Sequence, residues 1–550
     1  MPDIKQNCRT CSKEFVVNEW EQAHLQKMGG FPLPTLCIDH RHQRRFAYRN
    51  ERKLYKDKCD FSGKDIISIY SPDKNLKVYS QEIWWSDKWD GRDYGRDFDF
   101  SRPFFDQFQE LRLSTPRMSL LNSNGENSEY CNLTTDNKNC YLVFGGDFNQ
   151  DALYSIFCFY SRDVADLYWV NKSELIYDSI DCSNCYNIKH AQNTYNCRDG
   201  AFLFDCRNCE YCIGCVGLRG KKYHIFNKAY SPEDYAKKMH ELRLDTWSGV
   251  QKFKVEFNKF KLNFPMLFAS IVNCENCSGD KIKDAKNCEN CFDIYGPVED
   301  CKDVFLGGWN LKDALSSSHI GHKSEIAYES IGIPGVHTTA FSSFVWFGSN
   351  VYYSDTVAYC NNIFGCSNMN KAEYCILNKQ YSKEDYESLR ARIVEHMKKT
   401  GEWGEFMPIK NSLFAYNETV AQDFFPKSKD EAFSEGIKWL DEEVREIKPQ
   451  DIPDSIHDAK DDILQGTFIC EKTGRPYRIV PAELKLYRQM GIPIPHFAPE
   501  TRNEMRIQAR NPHHTWSRNC TKCGMKIETS YAPNRPENVY CEPCYLAEVY

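Results

Sequence analysis

Between residues 126 and 407 the chain alternates short apolar or aromatic runs, such as LYWV (167–170), AFLF (201–204) and DVFL (303–306), with polar Asp, Asn and Gly turns. Runs this short, bounded by turn residues, predict strands. Cysteines recur within the pattern. Cys158, Cys182 and Cys206 lie 24 apart, as do Cys277 and Cys301, while Cys185, Cys197 and Cys209 lie 12 apart. This predicts a parallel β-solenoid with about 24 residues per coil, an interior cysteine ladder and asparagine ladders at the turns.

The region is also duplicated. KSELIYDSI (172–180) returns as KSEIAYESI (323–331), and NKAYSPEDY (227–235) as NKQYSKEDY (378–386), both at an offset of 151. Two gapless matches at one offset mark a tandem repeat. Each copy closes on a helical pattern opened by Ser231 or Ser382, with Asp three positions on, the form of a capping box. Tyr386, Leu389, Ile393 and Met397 fall on one face of the second helix. Residues 408–466, including KDEAFSEGIKWLDEEVREI, read as an acidic helical spacer.

The ends carry different chemistry. Cys8-x2-Cys11 and Cys37-x2-His40 form one set, Cys520-x2-Cys523 and Cys541-x2-Cys544 another. Pairs of knuckles in this order supply four N/S ligands to a tetrahedral zinc ion, and a closed set leaves no open position for catalysis. Two structural zinc ions per chain are expected. The ends are themselves copies. Shifting residues 491–545 back by 461 places Pro493 on Pro32, Arg502 on Arg41, Arg506 on Arg45, Arg510 on Arg49 and Cys520 on Cys59. Each end therefore holds two modules, one with its ligands and one without. The metal-free positions are Cys59, Ser62, Ser80 and Ile83 in the second module. In the third, only Cys470 survives, and Ala498 and Thr501 stand where Cys37 and His40 stand in the first.

The first module, with CRTCSKEF and PTLCIDHR, resembles a treble-clef-like zinc-ribbon family, with His40 replacing that family's last cysteine. The resemblance covers about 40 residues and implies a structural zinc site. The whole chain, through segments such as RNERKLYKDKC and YGRDFDFSRPFF, resembles large uncharacterised zinc-ribbon proteins of candidate-phyla bacteria. That resemblance implies an architecture and no activity.

Composition narrows the class. At 550 residues several domains are expected, and the boundaries fall at 1–86, 87–125, 126–262, 263–407, 408–466 and 467–550. A mean hydropathy of -0.62 and the lack of a long apolar run exclude a membrane-spanning helix, and MPDIKQNC is no signal peptide, so a cytoplasmic chain is expected. In a reducing compartment the 27 cysteines, an odd number, are ligands or core residues rather than disulfides. CRNCEYCIGC, with Cys206, Cys209, Cys212 and Cys215, could be a further metal site, but its repeat keeps only Cys360 and Cys366, which favours buried thiols.

Two segments are candidates for function. Arg41–Lys58 carries eight Lys/Arg against two acids in a chain of net charge -7. Arg41, Arg44, Arg45, Arg49, Arg52 and Lys53, interleaved with aromatics, suit phosphates and unstacked bases. Arginines binding the chain's own acids are the alternative. Residues 84–108 hold three tryptophans and six aspartates. Trp84, Trp85 and Trp89 with Asp97 and Asp99 suit a glycan site or a glycosidase, or a connector packed on the solenoid. No nucleotide loop or catalytic triad order appears. The sequence thus predicts a mainly β fold with some α, a duplicated solenoid between zinc units, and a scaffold or adaptor binding RNA or protein, with a carbohydrate-active protein as the alternative.

Overall fold

A computed structural model describes residues 2–441 and 449–549. Parallel ladders dominate its middle. Gln150–Phe159, Arg162–Asn171 and Glu174–Ser183 lie side by side, with Gln150 opposite Arg162 and Arg162 opposite Glu174. Each turn of chain is therefore twelve residues. The ladder continues through Tyr186, Arg198, Glu210 and Lys222 at the same step. In the second copy Glu325, His337, Ser349, Asn361 and Glu373 repeat it, after turns of thirteen at Phe305, Ser318 and Ile331. The copies form a nine-stranded and a fourteen-stranded sheet, each parallel except for its closing pair.

The expected 24-residue coil is thus corrected to twelve, and the backbone shows why. Every third residue is left-handed: Asn184, Asn187, His190, Asn193 and Asn196 have φ between 50° and 55°. A corner every third residue gives four short sides per turn. The residue after each corner points inward, as Cys185, Ile188, Ala191, Thr194 and Cys197 do, all buried. Cys-x2-Cys pairs are successive samples of this three-residue period, and 24 is the spacing of cysteines on alternate turns.

Left-handed backbone costs an ordinary residue about 1–2 kcal/mol. Asn and Asp meet that cost with local hydrogen bonds, here laddered between turns. Asn187 Nδ2 donates to Asp199 Oδ1 at 2.8 Å and Asn350 Nδ2 to Asn362 Oδ1 at 3.0 Å. Where corners are aromatic, rings stack one turn apart, Phe148 on Tyr160 at 4.8 Å and Tyr211 on Tyr223 at 5.0 Å.

The interior takes one small side chain per side, which suits cysteine. Several thiols, those of Cys140, Cys185, Cys206 and Cys366 among them, find carbonyls two residues back and nine residues on. Cys206 Sγ lies 3.6 Å from the Phe204 carbonyl and 3.4 Å from that of Cys215. Burial pushes the Cys158 thiol up to about 12 and that of Cys140 up to about 11, so both keep their protons near neutral pH. With zinc retained, a thiol probe is expected to label the half-buried Cys274 and Cys277, on the first turn of the second solenoid, before any other core cysteine. Fast native labelling of Cys182 or Cys206 would contradict this assignment.

The end units dock crosswise. The N-terminal unit lies on the second solenoid, where the His24 ring meets the Ala327 carbonyl at 3.3 Å and Lys27 Nζ meets Asp313 at 2.8 Å. The C-terminal unit lies on the first, where the Tyr154 hydroxyl meets Glu483 at 2.9 Å, and also reaches the opening of the second, where His513 meets Asp293 at 2.8 Å. Pro232–Leu242 and Lys383–Thr400 start at Ser231 and Ser382, whose hydroxyls accept the amides of Asp234 and Asp385, and each helix packs on the last turns of its solenoid.

The expected helical spacer is partly helical among the described residues. Val420–Phe424 and Lys429–Ser434 are the α-helices between 408 and 441, beside 3-10 turns at Ile409–Asn411 and Tyr416–Glu418, and the segment is held in place by its own core contacts. The remaining stretch of that pattern, 442–448, lies outside the described residues. Among the described residues no helix is long and apolar enough to cross a membrane.

Candidate metal centres and the docked arginine helices

All four modules share one backbone. A hairpin turn places the first two ligand positions, and in each the first of them closes two hydrogen bonds. Cys8, Cys59, Cys470 and Cys520 donate their amides to Lys13, Lys64, Arg475 and Met525 at 2.8–2.9 Å, and their carbonyls accept from Ser12, Gly63, Gly474 and Gly524 at 2.7–2.9 Å. Those last four residues are left-handed, with φ between 59° and 77°. The third ligand position, Cys37, Ser80, Ala498 or Cys541, directly precedes a helix, and the fourth sits in its first turn.

In the first and fourth modules the ligand atoms converge, all within 4.8 Å of one another. Zn–S bonds of about 2.3 Å and Zn–N bonds of about 2.0–2.1 Å in a tetrahedron put sulfurs about 3.8 Å apart and sulfur about 3.5 Å from nitrogen. Cys11 and Cys37 Sγ are 3.9 Å apart, Cys8 Sγ and His40 Nδ1 3.6 Å, and Cys523 and Cys541 Sγ 3.7 Å. The donor sets fit zinc. Among the described residues these two groups have this convergence, and the core cysteines do not join it.

The metal-free modules replace coordination with hydrogen bonds. In the second, the Ser80 amide donates to Cys59 Sγ at 3.3 Å, and the Ser80 hydroxyl caps the following helix by accepting from Ile83. In the third, Cys470 Sγ and Thr501 Oγ1 are 3.4 Å apart. Pro499 opens that helix at a position where its fixed φ suits the first turn.

The helices that leave the first and third sites, Ile38–Phe46 and Pro499–Ala509, carry the paired arginines. Neither presents them to solvent. Arg41, Arg44, Arg45 and Arg49 are all buried, with Arg45 at 0% exposure. Arg45 Nη1 is 2.6 Å from Glu329, Arg44 is 3.4 Å from Glu329 and 2.6 Å from Glu405, and Arg41 is 3.7 Å from Glu329 and 3.6 Å from Asp303. Arg49 pairs with Glu51 at 2.5 Å, and Arg52 grips Asp423 with two nitrogens at 2.7 Å. Lys53, half-buried, gives its carbonyl to Asn50. In the C-terminal copy Arg502 and Arg506 meet Asp166 at 3.2 and 2.9 Å, and Arg510 pairs with Asp293 and stacks over Tyr168. These arginines thus take the alternative the sequence left open, pairing with the chain's own acids. A phosphate backbone cannot reach guanidiniums that fill carboxylate clefts inside the fold.

The tryptophan segment also faces inward. Trp84 is buried and packs against Trp85 and Trp89 at 4.7 and 6.0 Å, and Trp85 turns its edge to Trp346. Asp97 and Asp99 are exposed, but Asp97 pairs with Lys379 at 2.6 Å and Asp99 accepts from Ser101. These hydrogen bonds hold both carboxyls below the usual range.

Sequence reasoning missed the acids that receive the arginines. Their signal lay in the repeat, because Asp178 and Glu329 occupy one position of KSELIYDSI and KSEIAYESI. It also missed a cavity beside Asp178. No protein-family model matches the chain, and no curated protein matches it. Among solved structures, UDP-N-acetylglucosamine acyltransferase from Campylobacter jejuni aligns with 50% of this chain and 94% of its own, at 10% identity and a TM-score of 0.08, which carries no argument.

Proposed function

We propose that the chain is a zinc-stabilised scaffold or adaptor whose two metal ions are structural and whose partner is a protein. The observation that supports this most is the position of the first metal site. Its ligands Cys37 and His40 hold the first turn of the helix whose arginines dock into the second solenoid. A closed ligand set of this kind clamps one part of the fold to another and offers no coordination position to a substrate. Support for a protein partner comes from stacked aromatic corners left at the surface. Phe148 and Tyr160 are 46% and 56% exposed, and Phe347 and Tyr359 both 50%. Exposed apolar clusters of this kind mark interaction surfaces.

Metal analysis and nucleic-acid titration test the reading together. The purified chain is expected to hold two zinc ions. Chelation is expected to open the ends to protease while the ladders persist in circular dichroism. RNA is expected not to bind with the steep salt dependence, orders of magnitude between about 50 and 200 mM, that phosphate contacts produce. Zinc loss with no structural effect, or tight salt-sensitive RNA binding, would overturn it.

A further inference from the structure

A cavity of about 430 Å³ lies between the helices Trp247–Lys261 and Pro499–Ala509, with the first solenoid as its floor. Its walls are of two kinds. Phe202, Phe257, Trp247 and Phe497 supply rings, while Lys254, Lys261 and Lys472 supply ammonium groups. The size falls within the range of small-molecule sites, about 300–1,000 Å³.

The floor holds an acid and an imidazole. His190 Nδ1 is 2.8 Å from Asp178 Oδ2, and the His190 ring stacks on Phe202 at 4.6 Å. Arg506 stands 3.7 Å from the other Asp178 oxygen. Burial opposes ionisation of Asp178, yet the His190 hydrogen bond and the charges of Lys254 and Arg506 hold its carboxyl well below the usual range. Paired through Nδ1 with the Asp178 carboxylate, the His190 ring donates to an anion in the form that also carries a proton on Nε2.

The duplicated copy shows the same position built for structure alone. At the offset of 151, Asp178 becomes Glu329 and His190 becomes Phe341. Glu329 gives its oxygens to three arginines. Phe341 is covered, with Phe31 edge-on at 5.0 Å and Tyr353 stacked at 4.8 Å, and Trp403 fills the space beyond Phe31 at 4.5 Å. In the first copy the counterpart of Phe31 is the smaller Ile492. One copy is closed with rings. The other keeps a histidine, a carboxylate and an opening lined by lysines.

We infer that this cavity binds a small amphipathic organic anion, its apolar body on the aromatic wall and its acidic head between Lys254 and His190. The full chain can be titrated with the fluorescent sulfonate 8-anilinonaphthalene-1-sulfonate, read by energy transfer from tryptophan. One saturable site is expected, weakened at least about tenfold, or about 1.4 kcal/mol, in Lys254→Glu and in His190→Phe, which installs the residue of the closed copy. Lys254 lies at the half-exposed rim, so its variant decides the matter if His190→Phe fails to fold by circular dichroism. No binding by the parent chain, or undiminished binding by a folded Lys254→Glu, overturns the inference.

Discussion

Glu329→Ala is expected to destabilise the chain by about 3–5 kcal/mol, the cost of leaving buried charges without their partner. Glu329 is 1% exposed and receives Arg45, Arg44 and Arg41 at 2.6, 3.4 and 3.7 Å. After its removal Arg44 keeps Glu405 and Arg41 keeps Asp303, but Arg45 is left with the His42 ring at 2.9 Å. Urea unfolding followed by tryptophan fluorescence reads the loss. Asp178→Ala, the equivalent change in the other copy, provides the control. Arg506 retains Asp166 at 2.9 Å there, so the expected cost is less than half. Equal costs would show that the Glu329 cluster has no special weight.

The same cluster sets a pH dependence. Burial raises the Glu329 carboxyl, but Arg45, Arg44 and Arg41 together hold it below its usual value. A carboxyl depressed in the folded state stabilises above its unfolded value, about 4.3, and that contribution is lost as pH falls. Acid unfolding is therefore expected to begin below about pH 4. Salt is expected to change it little, because screening acts weakly on buried pairs.

Cys37→Ser is expected to lower the metal content from two zinc ions to one and to release the N-terminal unit. Structural zinc in isolated fingers contributes roughly 10–16 kcal/mol of apparent binding energy, which is also folding energy. Here the metal ligand Cys37 occupies the N-cap position of Ile38–Phe46 and makes no side-chain cap of its own. Losing the ion frees the first turn of the helix that carries Arg41, Arg44 and Arg45. Limited proteolysis is expected to cut within the first 54 residues at protease levels that leave the parent chain intact. Cys470→Ala tests the opposite case. It removes a contact to Thr501 at 3.4 Å and is expected to cost about 1 kcal/mol with zinc content unchanged. Two zinc ions retained in Cys37→Ser, or one lost in Cys470→Ala, would reverse the assignment of occupied and vestigial modules.

Much of the architecture was legible because it repeats. Ligand spacing marked Cys8 to His40 and Cys520 to Cys544, and the 461 offset identified four modules where the ligands alone suggest two. Parallel ladders followed from short apolar runs. The turn length did not, because Cys158, Cys182 and Cys206 occupy alternate turns and hide the three-residue period carried by the Asn and Asp corners. The sequence left two readings of the arginines open for another reason. A run such as Arg41–Lys58 shows its own charge but not the acids facing it, and Glu329 is 284 residues from Arg45. His190 gave no local signal. It stands out only where two copies that share an acid differ at the next turn.

Crosswise docking has a consequence for the order in which the protein is made. Arg45 leaves the ribosome 284 residues before Glu329, and Tyr154 leaves 352 residues before the Arg506 that caps its carbonyl. Both clasps close long loops, and such distant contacts form late and slowly. Until then the stretch Arg41–Lys58, with its eight Lys/Arg, is exposed on the growing chain. The buried arginines of the finished molecule are thus the surface of its nascent form, and chains stalled before the second solenoid would be the ones to catch stray polyanions or aggregate.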